Sequence, residues 1–295
     1  MTPRIKKIFI MNELKIAIQK SGRLSESSHK LLEECGIKFS NGPGALKTRA
    51  RNFPVEILFL RDDDIPQYVE QKVADIGILG ENMVLEKNKD VTVLEKLGFA
   101  ACRLSLAIPK EDTFTGPQYF NRKKIATSYP RLLSEYLKKN KLKAEIEEIS
   151  GSVEIAPGIG LADAVCDIVS SGSTLMTNGL KEVHTILKSQ AVIIGNKNLT
   201  PEQKKILKKL LFRIRAVKNA NENKYILLNA PEAAIPGICA ILPGMKSPTI
   251  LPLAEKGWFS LHSVVKEDQF WDRIDQLKEA GAEGILVIPI EKMIM

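Results

Sequence analysis

Between Gly151 and Leu180 the chain gathers carboxylates, glycines and hydroxyls in an order that suits a phosphorylated sugar. Glu154 comes first. Glycines follow at Gly158 and Gly160, then Asp163 and Asp167, then the run Ser170, Ser171, Gly172, Ser173, Thr174. Carboxylates accept hydrogen bonds from ribose hydroxyls, and a Ser/Gly/Thr loop offers backbone N–H and side-chain O–H donors to a phosphate. Leu161, Val165, Ile168 and Val169 recur at helical spacing, which predicts an amphipathic helix over 160–170. That helix puts Asp163 and Asp167, four apart, on another face. Asp163, in the first turn, reads either as a ligand contact or as helix stabilisation through the dipole. Asp167 lies beyond that turn, beside the hydroxyl loop, and reads as a ligand contact.

The elements that must hold this stretch alternate from the start. Strands are expected at Leu14–Gln19, 55–60, 75–79, 103–108, 124–127, 145–149 and 191–194. Helices are expected near 25–35, 65–71, 130–140 and 200–220, the last a long basic connector. Gly36 is a helix stop. Alternation of this kind predicts an α/β fold with mostly parallel sheets. The strand at 103–108 crosses towards a second lobe and that at 191–194 returns. The double crossover leaves a cleft where a ligand fits. The tail reads βαββαβ, a ferredoxin-like order, with strands at 225–228, 249–253, 258–265 and 284–289. Its helix at 268–280 carries Phe270, Trp271, Ile274 and Leu277 at helical spacing, which predicts core packing.

Composition narrows the function classes. A chain of 295 residues is long for one core. A net charge of +8 favours anionic partners, but no zinc finger, RNP motif or base-reading helix-turn-helix accompanies it, which excludes a nucleic-acid function. The helix carrying Lys204–Arg215 reads as a solvated basic face. No apolar run is long enough to span a bilayer, so no membrane partner is expected. The N-terminus lacks a secretory h-region, and residues 1–10, before Met11, read as a dispensable extension. Four scattered cysteines and three histidines form neither a CxxC pair nor a metal cluster, so a reduced cytoplasmic protein is expected.

Glu154, Gly160–Ala162, Val165–Ile168 and Ser171–Leu175 together resemble the signature of ATP phosphoribosyltransferase, the first enzyme of histidine biosynthesis. LKIAIQKSGRL, RDDDIP, DIGILGEN, CRLSLAIP and ATSYP are similar to its other blocks, and LPGMKSPTILPL and GILVIPIEKM resemble the tail of its long form. The resemblance implies a two-lobed, periplasmic-binding-protein-like catalytic part, 11–105 plus 190–220 and 106–189, and an ACT-like regulatory domain over 221–295. It implies that N1 of ATP attacks C1 of phosphoribosyl pyrophosphate (PRPP), releasing pyrophosphate with Mg2+ carried mainly by substrate oxygens. No protein metal site is then required.

Roles follow by the same resemblance. Ser171–Thr174 takes the 5-phosphate, and Glu154, Asp163, Asp167 and Ser170 lie on the PRPP side. Lys20, Ser21, Gly22, Arg23, Arg61 and Glu81 lie on the ATP and pyrophosphate side, with Lys20, Arg23 and Asp167 catalytic. A solvated turn also accounts for Lys20 and Arg23, and a helix cap for Asp64. Asn82, with Glu81, is placed at adenine or phosphate. An arginine carried by several relatives falls near Ala45, with Lys47, Arg49 and Arg51 as the neighbouring cations. Asn229, where some relatives have histidine, and Thr249 are implied to bind inhibitory histidine. A homo-hexamer in equilibrium with a dimer is also implied. A two-lobed solute-binding protein is the competing reading, with an idle regulatory subunit a third. The signature and tail argue against the former, and intact Asp167 and Thr174 against the latter.

Overall fold

The computed structural model describes residues 13–40, 42, 44–242 and 244–295. The extension expected over 1–10 lies outside the described residues. These divide into two compact units: residues up to Glu33 with Ile37–Leu207, and Glu34–Gly36 with Lys208–Met295.

In the first unit β1 (Leu14–Gln19) leads to α1 (Arg23–Glu34), β2 (Lys47–Arg49), β3 (Val55–Leu60), α2 (Ile65–Glu70), β4 (Ile76–Gly80), α3 (Glu81–Lys87) and β5 (Thr92–Lys96). The chain then builds a second sheet through β6 (Cys102–Pro109), β7 (Lys124–Thr127), α4 (Pro130–Lys139), β8 (Glu145–Glu148), β9 (Ala164–Val169), α5 (Ser173–Thr177) and β10 (Leu180–Ser189). It returns in β11 (Ala191–Gly195) and enters α6 (Pro201–Asn221), inside which the compact units divide. The strand orders are β2-β3-β1-β4-β11-β5 and β10-β6-β9-β7-β8.

Burial explains the central strands. Leu14, Ile16, Ala17 and Ile18 of β1 are fully buried, with no alternation, because the strand is central and covered on both faces. Each such Leu or Ile contributes about 1.5–3 kcal/mol of burial free energy. The N–H of Ile37 reaches back to the Leu32 carbonyl, 3.0 Å, which ends α1 in a Schellman turn at the expected glycine. At α6, Thr200 and Gln203 bond each other's backbone N–H, a capping box.

Three expectations change. The sheets are mixed. β1, β3 and β4 are parallel, as are β7, β8 and β9, but β2 joins antiparallel as a hairpin with β3, and β6, β10 and β11 join antiparallel where the chain passes between the two sheets. The whole of Cys102–Pro109 belongs to the second sheet, so the crossing comes before Cys102 rather than at 105. The helix expected over 160–170 is strand β9. Its β-branched Val165, Ile168 and Val169 satisfy either period, and pairing with β6 and β7 decides for the strand.

In the second unit β12 (Asn223–Pro231), α7 (Ile235–Ile241), β13 (Thr249–Pro252), β14 (Trp258–Lys266), α8 (Glu267–Trp271), α9 (Ile274–Glu279) and β15 (Glu283–Pro289) form an antiparallel sheet of order β13-β14-β12-β15. This is the ferredoxin-like arrangement. The helix expected over 268–280 breaks at Asp272–Arg273. Phe270, Ile274 and Leu277 still reach the core, but the break turns Trp271 outward, 69% exposed.

Candidate active site

A cleft of about 930 Å3 opens where strands of both sheets of the first unit end. Lys20 follows β1 and Arg61 follows β3, with the Lys20 N–H bonded to the Leu60 carbonyl at 2.8 Å, so the two turns lie side by side. Gly22, at φ +92°, lets the first turn run directly into α1. Lys20, Ser21, Arg61, Asp62, Asp63 and Lys87 line this wall. On the facing wall Ser128 and Tyr129 follow β7, and Glu148 ends β8 and leads into Ile149–Gly151. β9 lies parallel to β7, so its carboxyl end and the loop Ser170–Thr174 open at the same end of the sheet. Ligands of open α/β sheets bind outside such ends.

Asp167 projects from β9 opposite Ser105 of β6. Burial pushes its carboxyl up to about 6, and the nearby Glu154 charge adds to the shift, against a lowering by the Ile168 N–H. Glu154 itself sits in a short turn after Ser152, a non-glycine residue at φ +52°. Consecutive left-handed residues, Gly151 and Ser152, bring that turn back over the sheet. Gly172, at φ +86°, reverses the chain in the hydroxyl loop, where Ser171 and Ser173 bond each other at 2.9 Å.

The remaining expected residues divide. Asp163 is exposed, and its carboxylate accepts the Lys124 N–H at 2.7 Å while its own N–H donates to the Lys124 carbonyl at 2.8 Å. With β9 replacing the helix, first-turn stabilisation drops out, and Asp163 pins the start of β9 to β7. Glu81 pairs with Lys96 at 2.9 Å and is not among the residues lining the cleft. Asn82 is buried. It donates to the Tyr129 hydroxyl at 3.0 Å and accepts from Ser189 at 2.8 Å, and it is not among the residues lining the cleft. Asp64 makes no side-chain cap to α2 and does not line the cleft. Lys47 and Arg49 pair with Glu56. In the tail, Asn229 lies opposite Ser260 and Thr249 opposite His262, so the alternation of β14 puts both on one face of the sheet.

Other cleft residues escape the sequence reading: Asp62, Asp63, Lys87, Ser128, Tyr129 and Glu148–Gly151. The acidic run after Arg61 and the Ser-Tyr-Pro corner after a strand were the available signals. Burial raises the Asp62 carboxyl above its ordinary range, against a lowering by the Asp63 N–H that outweighs the push from the Asp63 charge. Burial first, and then the Asp167 charge, raises the Tyr129 hydroxyl. Glu86 of α3, also unforeseen, accepts the N–H groups of Arg131 and Leu132 at the start of α4, both at 2.9 Å. It clamps the two sheets' helices together beside the cleft.

Comparison with known proteins gives consistent results. The family model described as ATP phosphoribosyltransferase matches residues 61–216, and one described as the HisG C-terminal domain matches 220–292. An ATP phosphoribosyltransferase of Cytophaga hutchinsonii is 62% identical over 95% of this chain and 98% of its own. One of Bacteroides thetaiotaomicron is 57% identical over 96% and 100%. Among solved structures, the ATP phosphoribosyl transferase (HisG:HisZ) complex from Thermotoga maritima aligns with TM-score 0.59 and 29% identity, covering 68% of this chain and 98% of that one. A histidine kinase sensor domain with similarity to periplasmic binding proteins aligns with TM-score 0.50 and 9% identity over 71% and 92%, a likeness of fold alone.

Proposed function

The chain belongs to the ATP phosphoribosyltransferase family, and from that premise we propose that it transfers the 5-phosphoribosyl group of PRPP to N1 of ATP. Pyrophosphate is released, and the step opens histidine biosynthesis. One observation carries the assignment of the site: the cationic turns after β1 and β3 and the wall after β7 and β8 meet across a single cleft.

The loop after β9, at the same end of its sheet as the cleft, and the cationic wall take separate parts of the reaction. Ser170–Thr174 holds the 5-phosphate, and ionised Asp167 accepts the ribose hydroxyls. Lys20 and Arg61, with Ser21, Gly22 and Arg23 beside them, face the departing diphosphate, whose charge grows as the bond to C1 breaks. Preformed cations at that point lower the barrier. Carboxylates at Glu154 and Asp167 tolerate the oxocarbenium character of C1. Adenine N1 brings its own lone pair, so no general base is needed.

Asp62 and Asp63 line the cationic wall, and carboxylate oxygens beside phosphate oxygens are the donors Mg2+ accepts. When bound, the metal supplies charge neutralisation at the diphosphate. No helix among the described residues is long and apolar enough to cross a membrane, and the four cysteines are free, which supports a cytoplasmic setting. The ferredoxin-like unit is assigned to feedback by histidine, with Asn229 and Thr249 at that site, and the assembly to a hexamer exchanging with a dimer. Asp163 is left with its backbone tie as its main task.

The test is direct. ATP, PRPP and Mg2+ with the purified protein and pyrophosphatase should give phosphoribosyl-ATP, followed by ultraviolet absorbance. A folded protein that gives no product sinks the proposal. Loss of histidine inhibition in Asn229→Ala, with activity kept, checks the regulatory part.

A further inference from the structure

Arg103 lies on β6 directly opposite Val169, the last residue of β9, where the hydroxyl loop begins. Its guanidinium is held on two sides. Nε donates to Glu182 Oε1 at 2.5 Å, and Nη2 pairs with Glu182 Oε2. The remaining arm, Nη1, donates to the carbonyl of Ser170 at 2.9 Å. Glu182 is itself fixed, accepting from Ser105 at 2.7 Å and from Thr185 at 3.3 Å. Ser105 in turn stands opposite Asp167. The first peptide of the loop is therefore tied through Arg103 and Glu182 to Ser105, the cross-strand neighbour of Asp167.

The geometry of that peptide gives the tie a purpose. A peptide unit is planar and trans, so its C=O and N–H point in opposite directions. A Ser170 carbonyl held towards Arg103 turns the N–H of Ser171 the other way, away from the guanidinium. The planar fork of arginine fits this: two donors span one carboxylate while a third, in the same plane, reaches a separate oxygen. A lysine ammonium is a point charge and cannot hold both partners in that arrangement.

We propose that Arg103 is a positioning residue for the phosphate loop, fixing the Ser170–Ser171 peptide so that its N–H is aimed at the 5-phosphate. The inference rests on the reading of Ser170–Thr174 as the loop that takes that phosphate. Three of the five guanidinium N–H donors of Arg103 are given to Glu182 and the Ser170 carbonyl, so Arg103 acts through the loop, affecting capture of the phosphorylated sugar and leaving ATP capture alone.

The experiment compares wild type, Arg103→Lys and Glu182→Gln. It measures KM for PRPP and for ATP, kcat, the inhibition constant of ribose 5-phosphate, and the melting temperature. Arg103→Lys should raise KM for PRPP roughly tenfold, the size expected for a charge-assisted hydrogen bond, with kcat within about twofold and KM for ATP unchanged. The inhibition constant of ribose 5-phosphate should rise in parallel. Glu182→Gln, which keeps the arginine but loosens its anchor, should shift both in the same direction by less. If PRPP and ATP constants rise together with a fall in melting temperature, or if no variant changes PRPP capture, the inference is overturned. If wild type itself fails to bind PRPP or ribose 5-phosphate, the reading of the loop falls, and this inference with it.

Discussion

Lys20 after β1, Arg23 at the start of α1 and Arg61 after β3 have no side-chain partner among the described residues, whereas much of the facing wall is tied. There Thr127 donates to the Cys166 carbonyl at 2.7 Å and accepts the Tyr129 N–H at 2.9 Å. Ser128 donates to the Ile149 carbonyl at 2.7 Å, and the Arg103–Glu182 pair secures the loop after β9. The loops after β7, β8 and β9 are pre-ordered, while of the described cations lining the other wall only Lys87 is paired, with Asp63 at 3.6 Å. The difference fits the two loads. A sugar must be held at a fixed angle for displacement at one carbon, while a departing diphosphate moves and is best followed by side chains that move with it.

The largest test of this contrast is Asp167→Asn. It should lower kcat/KM for PRPP by a hundredfold or more, about the loss of a strong site hydrogen bond. The wild-type profile should show an acid limb with its midpoint near 6, and the variant should lack it. The stability sign is opposite. The folded carboxyl holds its proton above the pH at which an unfolded aspartate loses it, so this group makes the fold less stable as pH rises from about 4 to about 6. Melting temperatures of Asp167→Asn should gain on wild type across that window and keep the gain above it. If PRPP use and melting temperature fall together, Asp167 is structural and the contrast between the walls fails.

Lys20→Ala and Arg61→Ala come next. Each should lower kcat/KM roughly ten- to a hundredfold. Neither should move the melting temperature by more than about 1 °C, because each removes a side chain with no partner among the described residues. A clear loss of stability would mean that this wall too is pre-ordered. Glu86→Gln probes the clamp between α3 and α4. Loss of charge from the two N–H bonds should lower the melting temperature by about 2–4 °C, measured by calorimetry. Gly172→Ala is the smallest. Left-handed strain of about 1–2 kcal/mol should raise KM for PRPP several-fold and spare that for ATP.

Sequence patterns located the walls better than their internal wiring. β3 and β7 match their expected bounds because Val55–Leu60 and Lys124–Thr127 are buried runs between clear turn signals. Lys20 and Arg61 were legible as cations just after strands, and the hydroxyl loop as a run of small donors, though after an expected helix rather than the strand β9. Asp163 was not, because the run from Leu161 to Val169 carries apolar residues that serve a helix or a strand, and only its neighbours choose. β10 escaped notice because Glu182, His184 and Thr185 break its alternation at two register shifts. Those same irregular positions bring Glu182 and Thr185 to Ser105 and Arg103, so the feature that hid the strand is the one that anchors the loop.

β5 and β11 flank the excursion into the second sheet. They are antiparallel neighbours, with Lys96 facing Val192, and the two crossings are themselves bonded: Leu97 N–H to the Ala191 carbonyl and Ala191 N–H to the Phe99 carbonyl, both 2.9 Å. Everything from β6 to β10 is thus spliced into what is otherwise the tip of a hairpin. Replacing that insertion with a short turn would leave the six-stranded sheet's pairing complete. The second sheet is thus a single inserted piece, entered and left at adjacent points of its host sheet.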